Sequence, residues 1–592
     1  SVNEDSVRMA KPIGGDTFSM YSSRDDKALS PSRTHEMLRN GCAPERDVPV
    51  SYTQESLWLL ERMCRESGPA YNEPLAFEIR GPLQVDLLRR ALHHVVERHE
   101  SLRTTFVETA DGLKAIIHDR VPEFVEVVDL RHLGAEGARK RADALISESY
   151  GRPFDLAAGP LLRAIIVRLA EDEYVFGLTV HHIVTDGWSM GIILDELGRN
   201  YVSLCRSGRP ADLGNPVQYK GYVMRLRQEY EQGMLDEKID YWRRALQNAP
   251  ELLNLPLDRP RPAVQTFRGS TYSVTISRSK IAGLLDRCYR ECDSTEFVTL
   301  LSAYAVLLSR YSGQDAVVIG TTVLNRDRYD YLGTVGCFVN TAALLLKIDE
   351  EMTFRELVKQ TTERSIGMLQ NQDAPYPKVL ESLGIKRDPS YNPVFQTMMT
   401  FLGKKPVLKL GDEIVCQPIP VKRVGAKFDL LVYISDLGDD LEFEVEFNSD
   451  LFTPGTIQRM MRHYAYLLEQ LAQDIDVEVS RVSILPDEER RLILDVWNNT
   501  RVDYPRATVI DMFEAQAART PEAVAVEYND RSLTYGELNR LAEKVARRLI
   551  DRQGRCGEFV GVYMDRSVEM VVALVSIMKA GLAYVPIDPE YP

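Results

Sequence analysis

Residues 173–204 read EYVFGLTVHHIVTDGWSMGIILDELGRNYVSL, and three of their side chains suit proton chemistry: His181, His182 and Asp186. Imidazole titrates near neutrality, so a histidine pair ending an apolar run offers proton transfer or hydrogen bonding at pH 7. The pattern predicts a buried strand over 174–184, a turn at Thr185-Asp186-Gly187, and Ser189 as N-cap of the apolar helix MGIILDEL. Strand neighbours point to opposite faces, so one histidine should face a site while the other braces the interior. Asp186 can fix the turn through a buried ion pair, and Gly187 leaves room for a substrate close to the backbone. The helix N-terminus adds N–H groups suited to developing negative charge.

The elements that must position this turn begin at Val48. YTQESLWLLERM reads as a helix, PLAFEIRGPL as a strand, and VDLLRRALHHVVER (85–98) as a helix. RTTFVETADGLKAIIH places apolar runs on both sides of an Asp-Gly turn. A first lobe is expected over 48–222 and a second over 223–485. In the second, KIDYWRRALQNA, KIAGLLDRCYREC and VTLLSAYAVLLSRYSG read as helices, and TYSVTIS and DAVVIGTTV as strands. Residues 486–505 form a polar linker, and 506–592 a further α/β segment with a hairpin around Asn529-Asp530 and a βαβ-like run. Residues 1–47 read as a linker or tail. Within them Gly14-Gly15-Asp16-Thr17 resembles the GGDS loop of carrier proteins, but Thr17 stands at the serine position and no amphipathic helix precedes it.

The chain has 592 residues, 44% of them hydrophobic, with 72 Lys+Arg against 87 Asp+Glu and a formal charge of −15. That balance supplies no basic footprint for nucleic acid. No apolar run reaches membrane-spanning length and no signal peptide is evident, so a cytoplasmic protein without membrane partners is expected. The 8 cysteines are scattered without a CxxC pair. No metal site is expected; Cys288 and Cys292, one helical turn apart, are read as buried thiols. His93-His94 lie inside a helix with no Asp-Gly turn after them, and His99, Glu100 and Arg103 are read as structural.

HHIVTDG matches the HHxxxDG motif, and the chain resembles a condensation domain of a nonribosomal peptide synthetase. SYTQESLWLL (51–60), RHESLRTTF (98–106), VGCFVNT (335–341), NQDAPYP (371–377) and RDPSYNPVF (387–395) resemble that family's other motifs, in order. LTYGELN (533–539) and MKAGLAYVPIDPEYP (578–592) resemble the first two motifs of an adenylation domain. The phosphate loop that should come after them is missing, so this last domain is expected to be truncated and unable to adenylate.

The resemblance implies an α/β (α+β) fold of two chloramphenicol-acetyltransferase-like lobes in a V-shaped pseudo-dimer with a tunnel between them. It implies an amide-forming acyltransferase in which a donor acyl or peptidyl thioester meets an acceptor aminoacyl thioester. Upstream and downstream peptidyl carrier proteins deliver both on phosphopantetheine arms, alongside an adjoining adenylation domain; the chain itself binds no cofactor. By the same resemblance His182 faces the tunnel as base or positioner, with His181 beside it. Asp186 is structural, with Arg326 as its candidate partner from the second lobe. Gly187, Trp188 and Ser189 line the tunnel, and Asn340 and Thr341 sit on a tunnel-spanning loop. A free α-amine, with a pKa of about 7.7–8.0, is already neutral in roughly a tenth to a sixth of molecules at pH 7, so orientation can outweigh base strength.

Departures from the family pattern bear on subtype: Thr53, Ser56, Tyr376 and Pro377 replace the usual residues, and the basic residue expected soon after FVNT is delayed to Lys347. A Ser/Thr-dehydrating homologue stays open. So does a non-catalytic recruitment domain, against which the intact histidine pair argues. A coenzyme A-dependent acyltransferase fits the fold but leaves the adenylation-like segment unexplained.

Overall fold

The computed structural model describes residues 45–63, 70–552 apart from 327, 387, 422 and 424, and 555–590; the Gly14–Thr17 motif lies outside them. The chain divides after Arg490 into two compact units.

The first unit is mixed α/β and is built on two large sheets. One has five strands in the order Val415–Pro418, Asn72–Arg80, Glu173–His181, Leu162–Arg168, Val125–Asp129. Its strand Glu173–His181 is covered on both faces, which is why its apolar run is continuous rather than alternating. Phe176, Leu178 and Val180 join the main core with Leu88, Leu92 and Ile193. Val175 faces the other way, packing with Ala138 and Ala142 of the helix Gly134–Gly151. The 104–117 stretch forms the expected hairpin, Thr104–Thr109 with Gly112–Ile117.

The second sheet has six strands in the order Asn340–Lys347, Ala316–Val323, Thr397–Lys404, Leu430–Asp436, Asp440–Asn448, Gly269–Ser277. The helices Arg278–Cys292, Glu296–Ser312 and Pro454–Gln473 bury their apolar faces in the same core. Cys288 and Cys292 are buried and free in the first of them, and burial raises both thiols.

Two expectations about organisation change. The junction placed at 222/223 falls inside the helix Tyr219–Glu231, whose charged residues dilute the apolar periodicity. The lobes also exchange chain: Val415–Pro418, far along the expected second lobe, pairs antiparallel with Asn72–Arg80, Cys416 opposite Ile79. It is four residues long and largely exposed, so it leaves no alternating signature.

In the second unit, Val524–Tyr528 and Arg531–Thr534 make the expected hairpin, with Asn529 at φ 52°. Phe559–Tyr563 and Ala583–Ile587 pair in parallel, connected through the helix Val568–Lys579. Capping boxes start the helices Val509–Arg519 and Tyr535–Asp551. The expected linker 486–505 contains the short helix Asp487–Arg491 and a π-turn at Leu492–Val496. No helix among the described residues is long and apolar enough to cross a membrane, and no cluster among them could hold a metal ion.

Candidate active site

The strand carrying the histidines ends at His181, and His182–Val184 form a 3₁₀ turn, so the strand ends three residues earlier than expected. The cause is local: His181 Nδ1 accepts the Ile183 N–H at 3.0 Å, diverting that amide from the sheet ladder. Two long-range bonds fix the turn, from Gln54 Nε2 to the Ile183 carbonyl (2.9 Å) and from Ser101 Oγ to the Val184 carbonyl (2.8 Å).

Both histidines are fully buried, and they are held differently. With Nδ1 accepting, neutral His181 carries its proton on Nε2 and donates it to Glu61 Oε1 at 2.6 Å. The edge of the Phe154 ring packs on it, with centroids 6.0 Å apart. His182 has the opposite tautomer: Nδ1–H donates to the Thr185 carbonyl at 2.6 Å, so in the neutral ring the basic lone pair is on Nε2. The turn thus holds the two imidazoles in opposite tautomers, with the basic nitrogen of His182 at Nε2 and that of His181 at Nδ1.

Asp186, not Ser189, caps the following helix Gly187–Ser207. Its Oδ1 accepts the Ser189 N–H at 2.8 Å; Ser189 is inside the first turn, because an Asp at the strand's exit reaches the amide three residues on. Arg326 lies against Asp186, its Nη2 at 3.1 and 3.2 Å from the two carboxylate oxygens, with both side chains 1% exposed. Asp186 Oδ2 also accepts the Phe338 N–H (3.0 Å). Arg326 Nη1 donates to the carbonyls of Tyr331 and Thr334, and its guanidinium stacks 4.0 Å from the Phe338 ring centroid. The buried pair is therefore surrounded by further donors and acceptors, the condition for such a pair to persist away from water.

Ser189, expected to line the tunnel, and Asn340, expected on a tunnel-spanning loop, both bond to neighbouring protein atoms. Ser189 is buried; its hydroxyl donates to the Gly336 carbonyl (3.0 Å) and accepts from Gly336 N–H (3.1 Å) and Arg326 Nη2 (2.9 Å). Gly336 has to be glycine, since a Cβ there would stand 2.2 Å from the Tyr219 ring. Asn340 spends its amide on the 372–376 loop, donating to the Gln372 and Ala374 carbonyls and accepting from Tyr376 N–H. Thr341 is buried next to it on the strand Asn340–Lys347, and its Oγ1 has no hydrogen-bond partner among the described residues. Trp188 is partly exposed and donates from Nε1 to the Leu332 carbonyl at 2.9 Å; Gly187 beside it is half-buried. The four residues from Asp186 to Ser189 thus fasten the first sheet's turn to the 332–338 segment.

Reading the sequence missed Glu61, Gln54 and Ser101. Gln54 had a usable signal: Ser51-x-x-Gln54 is a capping-box spacing, and the two exchange N–H bonds at 3.0 and 3.1 Å ahead of the helix Tyr52–Met63. Glu61 lies further along that helix and had no such mark. His93 and His94 contact Glu123 and Glu97 on the surface, and His99 is paired with Glu196 at 2.8 Å. Two cavities of about 680 and 750 Å³ lie away from the histidines, the first beside Arg243 and Tyr391, the second beside Arg152, Phe154 and Arg163. Phe154 connects the second to the site, through its contact with His181.

The condensation-domain family matches residues 44–494. The chain belongs to that family. The AMP-binding enzyme family matches residues 513–592, so a condensation domain precedes the first part of an adenylation domain. Over 93% of its length, the chain is 36% identical to a linear gramicidin synthase subunit of Brevibacillus parabrevis and 34% identical to surfactin synthase subunit 1 of Bacillus subtilis. It spans only 11% and 15% of those relatives' lengths. The four-domain nonribosomal peptide synthetase holo-AB3403, solved with AMP and glycine, superposes with a TM-score of 0.81 at 25% identity, over 94% of this chain and 43% of that one. The X-domain from teicoplanin biosynthesis gives 0.67 at 27% identity, over 76% of this chain and all of that one.

Proposed function

We propose that this condensation domain joins a donor acyl or peptidyl group, carried as a thioester on an upstream carrier protein, to the amine of an aminoacyl thioester on a downstream carrier. The observation that carries the reading is His182, whose Nδ1–H is committed to the Thr185 carbonyl, leaving Nε2 as the basic nitrogen. The carriers' phosphopantetheine arms bring the two thioesters; the chain contributes positioning and a proton acceptor.

In this reading the neutral amine attacks the donor carbonyl carbon with its lone pair. Nε2 of His182 accepts a hydrogen bond from the amine and takes the proton released as the C–N bond forms. The carbon–sulfur bond then breaks, and the upstream arm leaves as a thiolate that receives the proton. Since an α-amine is partly neutral at pH 7, holding it along the line of attack is the larger share of the task. Asp186 and Arg326 act behind the imidazole, keeping the turn and the 332–338 segment together. Gly187 and Trp188, the partly exposed members of the turn, are the proposed lining for an incoming arm.

A second reading rests on the likeness to the X-domain, a protein also solved in complex with OxyB. In that reading this domain recruits a partner and makes no bond. One experiment separates the readings: both carriers are loaded, the chain or its His182→Ala variant is added, and the carriers are weighed by intact mass spectrometry. A downstream carrier heavier by the donor acyl group, lost in the variant, is the expected result. A product lighter by one water marks dehydration, and unchanged masses with active controls mark recruitment.

A further inference from the structure

A second set of buried charges joins the two sheets on the far side of the histidine strand. Glu73, on Asn72–Arg80, is directly opposite Val180, and Asn72 is opposite His181. Against Glu73 lies the stretch that returns from the strand Val415–Pro418 to the second sheet. Lys427 Nζ stands 3.3 Å from Glu73 Oε1, and Arg423 Nη2 stands 3.7 Å from Oε2. The Lys427 side chain is 0% exposed. The backbones themselves touch here: a Cβ on Gly425 would stand 2.7 Å from the Ala70 Cα.

Other groups face this pair. Glu446 accepts the Lys427 backbone N–H at 2.9 Å, and the Tyr71 ring centroid is 5.7 Å from Nζ. Arg423 in turn faces Glu444 at 3.5 Å and stacks on Tyr433. The Asn392 amide and Gln265 hold the Lys427 carbonyl. Nothing in the proposed chemistry uses these charges, and the buried Lys427 adds nothing to surface solubility.

We propose that Lys427 and Glu73 are positioning residues for the condensation reaction. Their contact sets the second sheet against the strand that ends in His181, and so sets where His182 Nε2 stands relative to a thioester held between the two sheets. The inference rests on the condensation reading above. Burial draws Lys427 down to about 8 from its ordinary value. Glu446 opposes that shift, so the attraction of Lys427 to its carboxylate neighbours, Glu446 and Glu73, is present at neutral pH and lost as pH rises through about 8, well before an ordinary lysine would titrate.

The test is single-turnover condensation between saturating loaded carriers from pH 6.5 to 9.5. The wild type is compared with Lys427→Met and Glu73→Gln, with the apparent KM for each carrier measured alongside. A displacement of this kind lowers kcat on the order of tenfold to a hundredfold. The expected wild-type profile rises with amine deprotonation and then falls above about pH 8, down to the level of Lys427→Met. The Met variant should lack the falling limb, with carrier KM values unchanged. A wild-type profile with no alkaline fall overturns the proposal without needing either variant to fold. So does a Lys427→Met profile that keeps the fall, or a loss confined to KM. No product at any pH overturns the condensation reading and this inference together, whereas product with a flat alkaline limb overturns the inference alone.

Discussion

The two polar junctions flanking the histidine strand are built from the same materials and balanced differently. At Asp186, one carboxylate meets one guanidinium, and neighbouring backbone groups bond to both, leaving Arg326 Nε without a partner among the described residues. At Lys427, two cations share Glu73 while Glu444 and Glu446 stand behind them, and burial raises Glu446 as it lowers Lys427. The first junction is bonded to the chain on several sides and acts as a fixed joint. The second contains groups moved toward neutrality, so its strength depends on conditions. A buried pair of one carboxylate and one guanidinium gives geometry, whereas a buried cluster of several like and unlike charges gives sensitivity.

Removing Arg326 should sharpen this contrast most. Arg326→Leu leaves Asp186 charged and enclosed, and should cost about 3–5 kcal/mol in urea unfolding. A loss below about 1 kcal/mol would put Asp186 in contact with water and break the comparison. Ser189→Ala should come next, at about 1–3 kcal/mol, because Gly336 N–H and Arg326 both lose an acceptor. Its condensation rate should fall with stability rather than beyond it, as assays below the melting transition would show.

At the second junction the sign of the pH dependence is the discriminating quantity. Lys427 binds its proton less tightly folded than unfolded, so between about pH 8 and the ordinary lysine range the unfolded chain holds more protons. Its contribution to stability is least below about 8 and grows as pH rises through that window. The stability difference between wild type and Lys427→Met should therefore widen in favour of wild type from pH 8 to 10, measured by paired urea titrations. An unchanged difference would mean that Lys427 titrates normally, and a narrowing that the folded chain holds its proton more tightly than the unfolded one. This concerns folded against unfolded chain; the alkaline fall in kcat concerns the folded chain alone, so the two trends run oppositely. The smallest effect is expected at Thr341, whose unpaired Oγ1 gives Thr341→Val nothing to lose: a change within about 0.5 kcal/mol, or a slight gain.

Most of the first unit's framework could be read from the sequence, because its signals are local. Val85–Arg98 has an apolar stripe at helical spacing, and the hairpin 104–117 carries its Asp-Gly turn. The Asp186–Arg326 contact was reached through family resemblance, since spacing cannot pair residues 140 positions apart. What stayed hidden depends on tertiary contact. The histidine strand ends early because of its own last side chain, Asp186 displaces Ser189 as cap, and Glu61 becomes a partner only once its helix lies beside the turn. Lys427 sits in an ordinary-looking AKFDL stretch whose burial no periodicity announces.

The strand Val415–Pro418 bears on how such synthetases can be recombined. It covers the outer hydrogen-bonding edge of Asn72–Arg80, an edge that would otherwise invite pairing with another chain. An exchange of the N-terminal half alone, cut near the helix Tyr219–Glu231, would seat a foreign sheet against this chain's own cover strand and its Lys427 contact. Chimeras that move residues 45–222 together with 415–427 should stay dispersed, while those that move only the first segment should aggregate. The hybrid's natural unit of inheritance is two separated stretches of sequence.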